Sequence, residues 1–497
     1  MLSWAVPAGL VDEAVGDGLA WEMRLRSLPS RLGVYFVLGL CLFSQLPYGQ
    51  VLREMTAGLE AALAAAGWQV PATTALTRAR RRVGEKPLEL LFRRVCSALS
   101  PGRGPWSHIC GLLAVAWDGT TVSAQPSTAN MAAFGTPGIP RKCRAARRRG
   151  QGEQEKQEAA ACPQLRLVTL VACGTRALLD AAFGPVRGKG SGERGLAGAL
   201  LGSLAPGMLL IADRNFYSYD LWNAAAATGA HLLWRVKGSM HLPVVRALPD
   251  GSYLTHVNDP RAALARLRRN GQRRRRGSKQ PPDTGPLPGI TVRVIEFTLT
   301  VTTDDGSCRT ERYRLITTLL DCRAAPAADL AAGYAWRWAI ETSYQEFKTY
   351  LRGPGRRLRG HSPDLTRQEL WAYLIIYQAI RAIIARAAAG AGLDPDRISF
   401  TATLHAARRT LTSRASLDAT LAQTETEILS CLLPRRQGRL CPRAVNKPAS
   451  PYPSRRNHEG PITQHAGYTI TITTPRTTAI TSNHQHKHPT QEPQRSP

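Results

Sequence analysis

Two short apolar runs, each closing on an aspartate, constrain this chain more than any other feature. Val115-Ala116-Trp117 leads into Asp118, and Leu210-Ile211-Ala212 leads into Asp213. Runs this short and this apolar suit strands buried in a sheet. An acid placed directly behind such a strand stands at the sheet edge, where ligands of α/β proteins commonly bind. Other strand-like segments surround them: Leu112–Trp117, Thr120–Ala124, Leu165–Cys173, Arg176–Phe183, Met208–Ala212 and His231–Val236. Helical patterns cover Glu193–Leu204 and Tyr219–Thr228. Strands come first and then alternate with helices, an order that predicts an α/β layer with a mixed sheet.

The rest of the 497 residues divides around this core. Residues 8–100 read as an all-helical N-terminal domain, with helical spacing through Val34–Phe43, Val51–Leu63 and Leu88–Leu99. Arg78, Arg80, Arg81 and Arg82 give that domain a basic cluster, suited to binding DNA ends or equally to a solvated helix face. The α/β core's first part spans 106–237. A β-rich insertion follows at 238–325, with strands at Thr291–Thr303 and Tyr313–Leu320 and a basic stretch, Arg261–Lys279, expected to be a disordered loop. Long helices at Ala331–Leu351 and Arg367–Ala388 complete the core within 326–433. The segment 434–497 is rich in Pro, Thr and Arg and is expected to be disordered.

The formal charge of +29 suggests a polyanionic partner, nucleic acid above all. The 434–497 segment carries net +8, which leaves +21 on the body, so that segment does not account for the excess. A bias toward Arg-, Ala-, Gly- and Pro-encoding codons accounts for some of it. Ten scattered cysteines without a CxxC pair give no support for structural zinc or a disulfide framework, and fit reduced thiols in a cytoplasm. The apolar run Gly33–Phe43 is too short to span a bilayer, and the acidic start is unlike a secretory signal. Gly184–Ser191 only superficially resembles a phosphate loop, because Gly190 stands where Ser or Thr is needed; no nucleotide cofactor is expected. His484, His486 and His488 read as polar tail sequence.

On the helix read at Ala331–Leu351, Tyr334, Arg337, Glu341 and Lys348 share a stripe about 60° wide at 100° per residue. A surface helix with an i,i+4 Arg–Glu pair would give the same pattern. Together with Asp118 and Asp213, however, Glu341 supplies a third carboxylate. Three hard oxygen donors could hold two divalent ions, Mg²⁺ with Mn²⁺ as a substitute, about 4 Å apart for phosphoryl transfer.

The spacing Tyr334-x2-Arg337-x3-Glu341-x6-Lys348 resembles the Y-R-E-K signature of insertion-element-4-type DDE transposases. Asp213-Arg214-Asn215-Phe216-Tyr217-Ser218 resembles that family's second-aspartate motif, with Asn215 where Gly is usual. Asp118-Gly119-Thr120 is similar to the first, and Asn130 with Phe134-Gly135 to the block after it. The resemblance covers residues 8–390. It implies a retroviral-integrase-like (RNase H-like) catalytic domain with a β-rich insertion before the glutamate helix. Asp118, Asp213 and Glu341 would be the catalytic metal ligands. Tyr334, Arg337, Lys348 and Arg214 would contact DNA, and Trp338 would lie near a flipped base. The resemblance also implies double-stranded DNA partners (element ends and target), a homodimer on DNA, no membrane, a cytoplasmic, nucleoid-associated location and cut-and-paste transposition. An RNase H-like nuclease without strand transfer and an inactive, transposase-derived DNA-binding protein are the competing readings.

Overall fold

The computed structural model describes residues 2–21, 28–98, 104–137, 162–188, 190–276, 281–303, 306–411, 415–434, 439–440, 464–474 and 479–482. The basic loop expected at Arg141–Gly150, the polar stretch Gln151–Ala161 and the histidines at 484–488 lie outside these residues. The chain forms two compact units. The first comprises Met1–Ala212, Asn223–Ala230 and Trp336–Arg435; the second comprises Asp213–Trp222, His231–Ala335 and Arg436–Pro497.

In the first unit, β1 (His108–Ile109), β2 (Leu112–Ser123), β3 (Gln164–Ala172), β4 (Leu178–Pro185) and β5 (Met208–Ala212) form a mixed sheet. Its order is β5-β2-β3-β4, with β1 beside β2. β2 pairs antiparallel with β3 and parallel with β5, and β3 pairs antiparallel with β4. The sheet shares one apolar core with the helices: Val122, Leu165 and Leu167 pack in the same cluster as Phe92, Val95, Ile340, Phe347, Leu370 and Trp371. The helices expected in the first 100 residues are present, including Ser30–Leu42, Thr73–Val83 and Lys86–Ala98. They are not a separate body, because their apolar faces close on this common core. The single helix expected over Val51–Leu63 is two, Tyr48–Thr56 and Glu60–Ala65, parted at Gly58, whose φ of 83° no helix accommodates.

Helix Pro363–Gly390 runs through the core. It is long and apolar enough to cross a membrane by length and composition, yet most of it is buried within the protein. Ser362 caps it and Pro363 opens it without a wasted N–H. Its buried polar side chains stitch neighbours together. Gln368 donates to the carbonyls of Arg80 and Gly84 (2.8 and 2.7 Å), Gln378 accepts from the Leu178 N–H (2.6 Å), and Glu369 accepts from the N–H groups of Arg359 and Gly360. Arg80 lies inside this network, 1% exposed, bonded to Gln368 and Tyr48. One member of the basic cluster read from the sequence is therefore a structural cation, and Arg78 and Arg81 alone remain exposed.

In the second unit, β6 (His231–Arg235), β10 (Cys308–Thr317), β9 (Gly289–Thr303) and β12 (Gln464–Thr473) lie side by side, all antiparallel. β8 (Tyr253–Asn258) pairs with the first part of β9 and carries β7 (Arg246–Ala247). β11 (Arg439–Leu440) and β13 (Ala479–Ser482) pair with β12. Two expectations fail here. The basic stretch is not a loop over most of its length: Pro260–Arg275 is a helix, started by Asp259, whose side chain accepts from the Arg261 N–H, and by Pro260 at the first turn. Nor is the C-terminal segment without structure, since β12 alternates Tyr468, Ile470 and Ile472 on one face and pairs with β9 from Phe297 to Thr303.

Candidate active site

Asp118 does not end a strand. β2 runs on to Ser123 because β3 continues to pair with it, Asp118 opposite Thr169 and Thr120 opposite Leu167. The parallel pairing with β5, by contrast, stops at Ala116 and Ile211, two residues short of Asp118. The carboxylate thus lies where β5 drops out and the order β5-β2-β3-β4 narrows from four strands to three. One oxygen accepts the Gly119 N–H at 2.8 Å; the other is 3.5 Å from Arg337 Nη1. The second arm of that guanidinium, Nη2, is 2.9 Å from Glu341 Oε1. One largely buried arginine therefore ties together two acids more than 200 residues apart in sequence.

Burial pushes the Asp118 carboxyl up to about 6; the Gly119 bond and Arg337 oppose the rise, while Glu193 and Glu341 add to it. Glu193 stands close by. A Cβ built on Gly119 would meet Glu193 Oε1 at 2.5 Å, so only glycine leaves that carboxylate its place. Tyr344, one turn beyond Glu341, donates to the Asp118 carbonyl at 2.5 Å and accepts from the Thr169 N–H and hydroxyl at 3.3 and 3.0 Å. Glu193 and Tyr344 were not singled out from the sequence. Tyr344 follows Glu341 by three residues, a spacing that puts both on one helix side; Glu193 carried no signal beyond opening a helix.

The segment bearing Glu341 is not one regular helix. Tyr334–Arg337 is a 3₁₀ turn, Trp338–Gln345 is α-helical, and Glu346–Leu351 is a π-helical turn. The stripe deduced at 100° per residue is thereby broken. The π turn begins at Glu346, which is buried and held by Arg176, by Arg381 at 3.7 Å and by the Tyr377 hydroxyl at 3.0 Å. Arg176 also pairs with Asp396 and sits at φ 56°, a left-handed backbone that a non-glycine residue adopts only when its surroundings impose it. Lys348, within the π turn, is half-buried, and burial followed by Arg352 pulls its ammonium below the ordinary lysine value.

Tyr334 belongs to the second unit and is 5% exposed, its ring against Tyr313 at 6.0 Å. Tyr313 in turn stacks on Phe297 and carries Arg235 over its face at 4.0 Å. Tyr334 is thus packed within its unit rather than exposed on a helix face. Arg337 engages two carboxylates, those of Asp118 and Glu341. Trp338 is 54% exposed, with the Arg337 guanidinium 5.4 Å from its ring. Asp213 directly follows β5, as expected, and opens the second unit; Arg214 beside it is exposed. Among the described residues, no three His, Cys, Asp or Glu side chains are arranged to hold a metal ion. The donors present do fit a hard divalent cation in kind: Asp118 and Glu341 offer oxygen only, and both already turn toward one positive charge.

Comparison with known families decides the relationship. Residues 110–379 match the model of the transposase DDE domain, and residues 1–93 match that of the insertion element 4 transposase N-terminal region. The chain is a member of the insertion-element-4-type DDE transposases. The transposase is 26% identical over 454 residues to the transposase InsG of insertion sequence element IS4 from Escherichia coli, covering 90% of this chain and 91% of that one. Two further proteins named as transposases match over shorter stretches. These are y4zB of Sinorhizobium fredii (30% over 183 residues, 36% of this chain and 43% of that one) and InsZ of Escherichia coli (28% over 212 residues, 43% and 62%). The transposase is accordingly a DNA-binding, divalent-metal-dependent enzyme of an insertion sequence. Its α/β core with many helices agrees with that family.

Proposed function

We propose that this transposase cuts DNA at the terminal inverted repeats of its element and joins the freed ends to target DNA, using Asp118, Asp213 and Glu341 as metal ligands in an RNase H-like core. The observation that carries the assignment is the Arg337 bridge between Asp118 and Glu341. Two partly desolvated carboxylates drawn from distant parts of the chain are held by one cation, which is costly unless the site has use for concentrated negative charge. Magnesium, as two ions, would supply Lewis-acid activation of the attacking oxygen and stabilisation of the leaving one.

The protein's own groups supply position. Gly119 and Arg337 each engage one Asp118 oxygen and so fix the carboxylate's orientation, and Tyr344 pins the backbone beneath it. Arg337 has a planar fork suited to a phosphate as well as to a carboxylate, so it can pass from the acids to the substrate's phosphate oxygens. Lys348 and the exposed Arg214 would contact the DNA backbone, and the exposed Trp338 offers a face for an unstacked base. Tyr334 would reach DNA only after leaving its packed position. In first-strand cleavage a water oxygen bonds to phosphorus, the 3′-oxygen leaves and takes a proton, and the resulting 3′-hydroxyl is the nucleophile for later joining. The enzyme would act as a homodimer on two ends, in the cytoplasm at the nucleoid, and without a nucleotide cofactor.

The test is cleavage and joining of paired terminal-repeat duplexes. Asp118→Asn, Asp213→Asn and Glu341→Gln should each lower cleavage at least a thousandfold while duplex binding stays within a few-fold. Near-normal cleavage by any one removes that residue from the triad. Cutting by the wild type without joining would make the protein a nuclease.

A further inference from the structure

Two side chains join the segment bearing Glu341 to β2 at Asp118, and they differ in kind. The first is Arg337, whose guanidinium lies between the two carboxylates. The second is Tyr344, whose hydroxyl donates to the Asp118 carbonyl at 2.5 Å. Glu341 and Tyr344 stand three residues apart on the helix Trp338–Gln345 and so share a side of it. One side of that helix therefore carries an acid and also a tether to the backbone of the other acid. All of these residues belong to the first unit.

The polarity of the tether is fixed by its partners. The Thr169 N–H can only donate and the Asp118 carbonyl can only accept, so the single phenol proton goes to Asp118. Asp118 and Thr169 face one another in a β2–β3 register that continues from Val115 to Ser123. Buried backbone groups of paired strands ordinarily satisfy each other and need no side chain. At this pair a phenol from a distant helix takes part, and the next N–H along β2, that of Gly119, turns to the Asp118 carboxylate at 2.8 Å. The tyrosine ring packs against the common apolar core, so its hydroxyl stands on a fixed base.

The two links fare differently when a phosphate enters. An Arg337 fork turned to phosphate oxygens no longer joins the two acids, which then lose their shared counter-charge. The Tyr344 link is neutral at both ends and has nothing for a phosphate to draw away. We propose that Tyr344 is a positioning residue of the reaction, its hydroxyl keeping the Glu341 helix in register with the Asp118 strand while Arg337 is engaged with DNA. The inference rests on the reading of Asp118 and Glu341 as acids of the active site, and adds to it a side chain that acts through them.

The test compares Tyr344→Phe with Thr169→Val in the full-length chain. Each removes one hydroxyl from the same hydrogen-bonded group, so the two should lower the melting temperature alike. Only the first breaks the bond to Asp118. With a saturating terminal-repeat duplex, Tyr344→Phe should lower kcat by up to about a hundredfold, the cost of misplacing a reacting group by about an ångström. KM and duplex affinity should stay as in the wild type. Mn²⁺ should bind less tightly to the variant's complex with a pre-cut duplex, as read by electron paramagnetic resonance, because two of its ligands no longer stand at a fixed separation. Thr169→Val should keep both the wild-type kcat and the wild-type Mn²⁺ affinity. Tyr344 replaced by para-aminophenylalanine, which puts an N–H donor at the same reach, should regain the lost turnover. A Tyr344→Phe variant with wild-type kcat overturns the proposal, as does a Thr169→Val variant that loses as much, or a para-amino side chain that regains nothing. Weakened duplex affinity at unchanged kcat would make Tyr344 a DNA contact and overturns it too. An Asp118→Asn variant that still cleaves defeats the underlying reading of the acids. An inert Asp118→Asn beside an undiminished Tyr344→Phe defeats the tether alone.

Discussion

Replacing Asp118 by asparagine should make the metal-free protein more stable while making it inactive. The unfolded carboxyl titrates near its ordinary 3.8, whereas in the fold burial moves it to about 6. Between those values the folded state holds a proton that the unfolded state gives up, so stability falls as pH rises through that window and the full penalty is present above it. The displacement is equivalent to at most about 3 kcal/mol. A side chain that keeps 24% of its exposure is partly screened, and the asparagine also forfeits the Arg337 contact, so a net gain of about 1–2 kcal/mol is expected at pH 7.5. Urea unfolding with a chelator present, followed through fluorescence of the buried Trp117 and Trp371, measures it. The gain should shrink toward zero at pH 4, where the wild-type carboxyl is protonated in the fold. Added divalent cation should restore the wild type's advantage. An Asp118→Asn variant that is equally or less stable at pH 7.5, or a gain independent of pH, would refute the reasoning.

Three further outcomes follow from the same geometry. Glu346→Ala should cost about 3–5 kcal/mol in urea unfolding, because it takes the carboxylate from buried Arg381 and leaves buried Arg176 with Asp396 alone, and Glu346→Gln should cost less; equal small losses would show the network to be dispensable. Gly119→Ala should lower cleavage about tenfold by displacing Glu193, and adding Glu193→Ala should recover part of it; no recovery would mean that the crowding acts elsewhere. Chelation should stop cleavage of a terminal-repeat duplex and leave binding nearly intact, with Mn²⁺ restoring activity; cleavage that survives chelation would contradict carboxylate-held metal.

Much of the first unit could be read from sequence because burial writes itself into apolar runs. Met208–Ala212 was legible as a strand with Asp213 behind it for that reason. Asp118 was misread as a strand end: an Asp-Gly pair looks like a stop, yet β3 supplies partners straight through it, and pairing with a distant strand has no local signature. The Tyr334–Lys348 spacing points to one face of a single helix, but a fixed 100° step cannot reveal where a helix changes its hydrogen-bond phase. That change occurs at Glu346, and its partners Arg176 and Arg381 are far away in the chain. Helix Pro260–Arg275 was invisible because it buries nothing; its order comes from an N-cap and from side-chain tethers. The Arg337 bridge was half legible. Its i,i+4 partner Glu341 could be read, and the reach to Asp118 could not.

The strand at Gln464–Thr473 has a consequence for how this protein is made. It pairs with β9, whose residues emerge from the ribosome some 160 positions earlier, so that edge waits open during synthesis until the late segment arrives. An unpaired edge of that kind invites other chains. Gene copies cut short before codon 464 should therefore yield a product prone to clumping, and loss of the last stretch of reading frame would silence the element through insolubility while every acid of the site is still encoded.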